Sequence, residues 1–145
     1  IPMKKTLTSL ILSLGLATPT LASDPDSLVT IVTSDQPQVQ LMSMVLTHQA
    51  MAKGHPTRIL LCGAAADMAL KDAPESATAG QPPKGASPQG LLMAALQKGA
   101  TVEVCAIYLP GKGVDPSVLM DGISVAQPPA MAGAMTAEDT IVWSF

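Results

Sequence analysis

Residues 28–62 read LVTIVTSDQPQVQLMSMVLTHQAMAKGHPTRILLC, and this stretch decides the fold. The segment Leu28–Thr33 is short, apolar and rich in β-branched residues, which is typical of a buried strand. A helix that reaches about Ala52 follows, with Asp35 as its predicted cap. A second apolar strand, Thr57–Cys62, comes next, so the stretch predicts a parallel β-α-β unit. The predicted buried stripe of the helix consists of Leu41, Met42, Val45 and Leu46.

The rest of the chain repeats this alternation of apolar strands and helices. Because the connections have crossover length, we predict one α/β domain in which helices cover both faces of a parallel sheet. Between the second strand and the next long helix, we predict a short helical turn within 63–70 and an exposed loop at 74–87. The remaining predicted elements are a helix capped by Ser87 and ended by Gly99, a strand Thr101–Leu109, a short helix from Asp115 to about Asp121, a strand Ile123–Ala126, a helix Pro128–Met135 and a strand Thr140–Phe145.

The features of an export signal precede this domain. Lys4 and Lys5 form a short positive region, and the uncharged apolar run Leu7–Ala17 follows them. Small residues then end at Ala22, where a signal peptidase is expected to cleave before Ser23. The apolar run is too short for a permanent transmembrane helix, which needs about 20 residues. The pattern therefore predicts a periplasmic protein without a stable membrane anchor.

We accordingly divide the chain into an upstream extension at 1–2, a signal peptide over 3–22 and a domain over 23–145. The domain has 123 residues, with six basic and eleven acidic side chains and a net charge of −5. This excess of acidic side chains argues against the basic surface patch that a nucleic-acid-binding protein requires. The sequence also lacks a glycine-rich dinucleotide motif and a Walker loop, so we predict no cofactor.

Both cysteines of the chain, Cys62 and Cys105, are predicted near the carboxyl ends of strands, where open parallel sheets collect their functional groups. Cys105 precedes the loop Pro110–Gly113 and the helix expected at Asp115. A helix N-terminus lowers the pKa of a nearby thiol, which makes Cys105 a candidate nucleophile. The alternative is that Cys105 packs as a small apolar core residue.

The segment Val102-Glu103-Val104-Cys105, between Gly99 and Gly113-Val114, resembles the DsrE/DsrF-like family of small sulfur-handling proteins, which includes those of the Tus relay. The opening and closing strands fit the same layout, with Thr33-Ser34-Asp35 and Ile141-Val142-Trp143. The resemblance implies a compact α/β domain with a mainly parallel five-stranded sheet and a homo-oligomeric assembly. It also implies that Cys105 accepts a sulfane sulfur from a donor as a persulfide and passes it on. Some relatives lack the cysteine, so the fold alone does not imply enzyme activity.

The resemblance further implies the sheet order 2-1-3-4-5, in which the second and third strands lie about 9.6 Å apart, twice the usual strand spacing. Bridged cysteines need Cα atoms within roughly 7 Å. A disulfide between Cys62 and Cys105 would then require the loops to bend inward. Cys62 is interpreted as a second thiol that resolves the persulfide or forms a redox pair with Cys105.

Two other functions stay open. One is a non-catalytic binding or assembly module, in which both cysteines only pack. The other is Cu(I) binding by methionine sulfur together with Cys62, Cys105, His48 and His55. The spacing forms no compact ligand cluster, and methionine must fill core volume in a chain with three aromatic residues, so we predict no metal site. The methionines of the domain are Met42, Met44, Met51, Met68, Met93, Met120, Met131 and Met135.

Overall fold

The computed structural model describes residues 2, 17–19, 21 and 23–145. Apart from residues 17–19 and 21, the predicted signal peptide lies outside the described residues. Within the described residues, no helix is both long enough and apolar enough to cross a membrane.

Five parallel strands form the sheet at the centre of the domain. They are β1 (Ser27–Val32), β2 (Thr57–Leu61), β3 (Thr101–Val104), β4 (Ser124–Val125) and β5 (Thr140–Ser144). Their order is β4-β3-β2-β1-β5, and every neighbouring pair is parallel. The predicted fold class, one α/β domain with a five-stranded parallel sheet, is therefore confirmed.

The helices lie in the crossover connections, as the alternation predicts. The α-helices are α1 (Pro37–Ala52), α2 (Glu75–Thr78), α3 (Pro88–Gln97), α4 (Tyr108–Lys112) and α5 (Pro128–Met135). Two 3-10 segments, Gly63–Ala69 and Pro116–Val118, complete the description. Ser87 caps α3 as predicted, because its hydroxyl accepts a hydrogen bond from the backbone N–H of Gly90 at 3.1 Å. Asp35 does not cap α1, whose cap position is Gln36.

The sheet separates two hydrophobic clusters because successive strand side chains point to opposite faces. In β2, Ile59 and Leu61 belong to the larger cluster with Met44 of α1 and Leu92 of α3. Leu60 belongs to the smaller cluster with Met131 of α5. Helices thus cover both faces, but one short helix provides most of the cover on the second face.

The order 2-1-3-4-5 that the resemblance implied is wrong. β2 lies between β1 and β3, so the second and third strands are hydrogen-bonded neighbours. The predicted strand Thr101–Leu109 is also too long. β3 ends at Val104, and the apolar residues beyond it turn into α4, where Leu109 is buried in the larger cluster.

The predicted buried stripe of α1 is wrong as well. Met42 and Leu46 are 52% and 39% exposed, while Leu41 and Val45 are only partly buried. The face of α1 that packs on the sheet contains Gln40, Ser43, Met44, Thr47 and Ala50. Hydroxyl groups on this face are satisfied locally, since Thr47 bonds both Thr30 of β1 at 2.9 Å and the carbonyl of Ser43 at 2.7 Å. Local hydrogen bonds therefore let a polar face pack inward and leave an apolar face outside.

Candidate functional site

The two cysteines occupy equivalent positions at the carboxyl edge of the sheet. Cys62 directly follows β2 and Cys105 directly follows β3. Because Leu61 pairs with Val104, the next residue of each strand lies beside the other. Their Cα atoms are 5.2 Å apart, within the range of bridged cysteines, and their sulfur atoms form a disulfide. The expected separation of 9.6 Å is wrong because β2 and β3 are adjacent.

Backbone hydrogen bonds fix the disulfide to the sheet. The N–H of Cys105 donates to the carbonyl of Leu61 at 2.9 Å, and the N–H of Cys62 donates to the carbonyl of Val32 at 3.0 Å. These bonds extend the parallel ladder one residue beyond the strands. Both cysteine side chains are half-buried and pack against the smaller cluster. The sheet thus holds the pair rigidly and leaves one side of it reachable.

A cleft of about 500 Å³ opens beside the disulfide. Its lining comes from the two cysteines and the two segments that follow them, Gly63–Ala69 and α4. Ile107, the residue before α4, also lines the cleft and is 80% exposed, so it gives the cleft an apolar edge that solvent reaches. The lining residues are Cys62, Gly63, Ala64, Asp67, Cys105, Ile107, Tyr108, Gly111 and Lys112. Small residues leave room for a ligand against the disulfide.

Three polar side chains form a connected cluster in this lining. The Tyr108 hydroxyl donates a hydrogen bond to Oδ1 of Asp67 at 2.5 Å. The Lys112 ammonium lies 2.9 Å from the same oxygen and 5.6 Å from the centre of the Tyr108 ring. Asp67 belongs to the 3-10 segment after Cys62, whereas Tyr108 and Lys112 belong to α4. The cluster therefore ties together the two segments that carry the cysteines.

Burial raises the pKa of Tyr108 well above its ordinary value, and the hydrogen bond and the negative charge of Asp67 raise it further. Ionisation would place a second negative charge against the Asp67 carboxylate. Tyr108 therefore stays a neutral hydrogen-bond donor throughout the physiological pH range.

The helix that the sequence predicts at Asp115 does not provide the site's activating group. A single 3-10 turn, Pro116–Val118, lies there, and none of its residues lines the cleft. Asp115 accepts a hydrogen bond from the N–H of Ser117 at 2.8 Å, which lowers the pKa of its carboxyl. The segment Pro110–Gly113, predicted as a loop, is instead mostly the end of α4. It still contributes Lys112 to the cleft.

Sequence reasoning missed Asp67, Tyr108 and Lys112. The sequence does contain a signal for these residues, because polar residues shortly after the end of a parallel strand lie at the carboxyl edge of the sheet, where functional sites form. Asp67 follows the end of β2, and Tyr108 and Lys112 follow the end of β3. Their contact with one another depends on β2 and β3 being neighbours, which the sequence did not reveal.

The other candidate ligands lie apart from the cleft. His48 bonds the carbonyl of Leu91 and His55 bonds the carbonyl of Asp26, each at 2.7 Å, so both histidines tie together structural elements. Met44 and Met68 belong to the larger hydrophobic cluster and Met131 to the smaller one. Among the described residues, no group of three or more His, Cys, Asp and Glu side chains is arranged to hold a metal ion.

Within the described residues, the five-stranded parallel sheet, the helices on both faces and the site at the carboxyl edge define a small α/β protein. The solved structures that it resembles match the DsrE-like fold. No protein-family model matches the chain, and no curated protein does. Solved structures with a similar fold do match the chain.

The YchN protein from E. coli matches with a TM-score of 0.66 and 18% sequence identity, over 83% of this chain and 99% of its own. MTH1491 from Methanobacterium thermoautotrophicum, described as a protein of unknown function, matches with a TM-score of 0.62 and 14% identity, over 83% of this chain and 100% of its own. At these identities the similarity establishes the fold, and the function must be argued from the site.

Proposed function

We propose that this protein is an exported thiol-disulfide protein that carries sulfane sulfur as a persulfide on Cys105, with Cys62 as the resolving thiol. The observation that supports the proposal is the meeting of both cysteines of the chain in one disulfide beside an open cleft. The fold is compatible with this proposal, and the sulfur chemistry itself is taken from the resemblance of the sequence around Cys105 to the DsrE/DsrF-like family. The choice of Cys105 as carrier follows the resemblance in its flanking sequence.

The disulfide itself supplies the oxidising equivalents for loading. Hydrosulfide attacks Sγ of Cys105, the bond to Cys62 breaks, and Cys62 leaves as a thiolate while Cys105 becomes a persulfide. An acceptor thiolate then takes the outer sulfur and releases Cys105 as a thiolate. In the absence of an acceptor, Cys62 attacks Sγ of Cys105, expels hydrosulfide and restores the disulfide. A small disulfide reoxidises the dithiol by exchange.

A redox titration of the purified protein in glutathione buffers tests the proposal. An exchangeable pair is expected to open and close within the range of these buffers, and trapping of free thiols with a maleimide measures the open fraction by mass. A disulfide that stays closed until the potential falls below about −300 mV would contradict the proposal, because that behaviour is typical of structural disulfides.

The second candidate function is an assembly module in which the disulfide is a structural cross-link. A bridge over 43 residues would stabilise such a domain by about 4 kcal/mol in the chain-entropy model. The observation that favours assembly is the exposed apolar face of α1, formed by Val39, Met42 and Leu46. This face and the sulfur site are separate, so assembly and sulfur transfer are compatible with each other.

The occupant that we propose for the α1 face is a second copy of this chain. α1 contains no Asp, Glu, Lys or Arg, so two acidic domains can meet there without like-charge repulsion. The face continues into a groove beside β5 that Leu46, Ile141 and Trp143 help to line. In the part of the chain that the structure describes, β5 is an edge strand, and no further strand pairs with its outer backbone groups.

The proposed location is the periplasm, on the strength of residues 3–22. Expression of the chain from Met3 in a Gram-negative bacterium is expected to give a periplasmic product that begins at Ser23. N-terminal sequencing after osmotic shock checks this, and a variant with Leu10→Arg in the apolar run is the control that should stay uncleaved. An uncleaved product from the unaltered chain would contradict export.

A further inference from the structure

We propose that Lys112 makes the cleft selective for anionic sulfur nucleophiles, with Asp67 and Tyr108 as the residues that position its ammonium. The inference rests on the proposed function, because it concerns the compound that opens the Cys62–Cys105 disulfide. The ligand class is a small sulfur anion: hydrosulfide, or a thiolate that carries a second negative charge.

The position of Lys112 in the cleft is held from two sides. Lys112 is the last residue of α4, and its ammonium reaches across to Asp67 on the 3-10 segment after Cys62 at 2.9 Å. Tyr108 lies one helical turn before Lys112 and bonds the same carboxylate. The long lysine side chain is thus restrained within the lining that also contains both cysteines.

The charges of this cluster are not equally available to a ligand. One oxygen of Asp67 accepts from both Tyr108 and Lys112, so two donors already shield the carboxylate. The Lys112 side chain is 42% exposed and the Asp67 side chain 29%. The ammonium has three N–H donors and uses one of them on Asp67. Among the described residues, no other charged side chain lines the cleft. An incoming anion therefore meets the ammonium more readily than the carboxylate.

A cation at this place assists the exchange reaction throughout. The attacking sulfur is an anion, the leaving Cys62 is a thiolate, and the negative charge is spread over three sulfur atoms between them. A fixed positive charge stabilises that distribution, and it also raises the local concentration of anions beside an otherwise acidic domain.

The experiment compares three thiols of similar size as nucleophiles toward the oxidised protein: cysteamine, 2-mercaptoethanol and 2-mercaptoethanesulfonate, whose attacking thiolates carry net charges of 0, −1 and −2. Opening rates are followed by maleimide trapping and mass, and each is divided by the thiolate concentration at the pH used. The variants are Lys112→Met, Asp67→Asn and Lys112→Arg, with Lys84→Met, an exposed lysine outside the cleft, as the matched control.

The decisive quantity is the rate with 2-mercaptoethanesulfonate divided by the rate with 2-mercaptoethanol. We expect it to fall roughly fivefold in Lys112→Met, the size typical of one partly screened charge pair, and to rise in Asp67→Asn. Lys112→Arg should keep the ratio, Lys84→Met should not change it, and added salt should reduce it. A merely structural role would slow or speed all three thiols together.

Two failures are distinguishable in this design. If the disulfide opens but the ratio is the same in the unaltered protein, Lys112→Met and Asp67→Asn, the selectivity inference is overturned and the proposed function is untouched. If the disulfide of the folded protein resists all three thiols, both the inference and the proposed function are overturned. Thermal melts of each variant show that the rates refer to folded protein.

Discussion

Tyr108 is the one tyrosine of the chain, and its hydroxyl is bonded to the carboxylate that also holds Lys112. This arrangement shows how the site is built from single residues. The disulfide lies at the end of the sheet, and each cysteine is followed by a segment that contributes one half of an ion pair. The chemistry of the sulfur atoms and the charge beside them are therefore set by different residues on the same two segments.

We predict that the Tyr108 hydroxyl titrates at an unusually high pH. Phenolate absorbance should appear with a midpoint well above the ordinary value of about 10, because burial and Asp67 disfavour the phenolate. A pKa raised by folding means that this group's contribution to stability is complete below pH 10 and is lost as the pH rises toward the folded value. Asp67→Asn should lower the midpoint without restoring the ordinary value, since burial remains. A midpoint near 10 in the folded protein would contradict the arrangement.

The elements of the fold were largely predictable because strand and helix patterns are local. All five strands were located, and α5 has the predicted bounds Pro128–Met135. β3 is shorter than the sequence predicts because the apolar run continues past Val104, where the chain turns toward α4. The buried face of α1 was missed for a different reason. Periodicity identifies an apolar stripe, but it does not say whether that stripe meets the sheet or an outside partner.

The inward polar face of α1 makes a prediction about stability. Thr30 and Thr47 are both fully buried and bonded to each other at 2.9 Å, and Thr47 also donates to Ser43. Thr47→Val should leave the Thr30 hydroxyl without its partner and lower the free energy of unfolding by about 1–3 kcal/mol. The double variant with Thr30→Val should recover part of that loss. Urea unfolding measures both.

Thr101→Val, at an exposed position of β3, is the control and should change the stability little. If the single and double variants at Thr30 and Thr47 lose stability additively, the two hydroxyls are not coupled across the β1–α1 contact.

At the scale of the whole molecule, the site depends on strand order, and the order that the family resemblance implied is wrong. The cysteines were correctly placed near the carboxyl edge, but their pairing required β2 and β3 to be neighbours. Which strands are adjacent is decided by packing of the entire domain and leaves no mark in either strand. The contacts among Asp67, Tyr108 and Lys112 were hidden for the same reason.

The exposed face of α1 leads to a prediction about assembly. Size-exclusion chromatography with light scattering should give a homo-oligomer, and Met42→Lys should dissociate it, because a charge would be buried against an apolar surface. Gln97→Lys, at the exposed end of α3, adds the same charge elsewhere and should leave the assembly intact. A monomer at all concentrations of the unaltered protein would contradict the proposed role of this face.

Intact-mass measurement directly detects the sulfur atom that we propose Cys105 carries. The reduced protein, Cys62→Ser and Cys105→Ser are each treated with polysulfide, which already contains sulfane sulfur and can load a thiolate without the disulfide. Their intact masses are compared before and after a reductant. We predict that Cys62→Ser accumulates one extra sulfur that the reductant removes, that the unaltered protein passes to the disulfide with release of hydrosulfide, and that Cys105→Ser gains none. A stable extra sulfur on Cys105→Ser, or none on Cys62→Ser, would contradict the account.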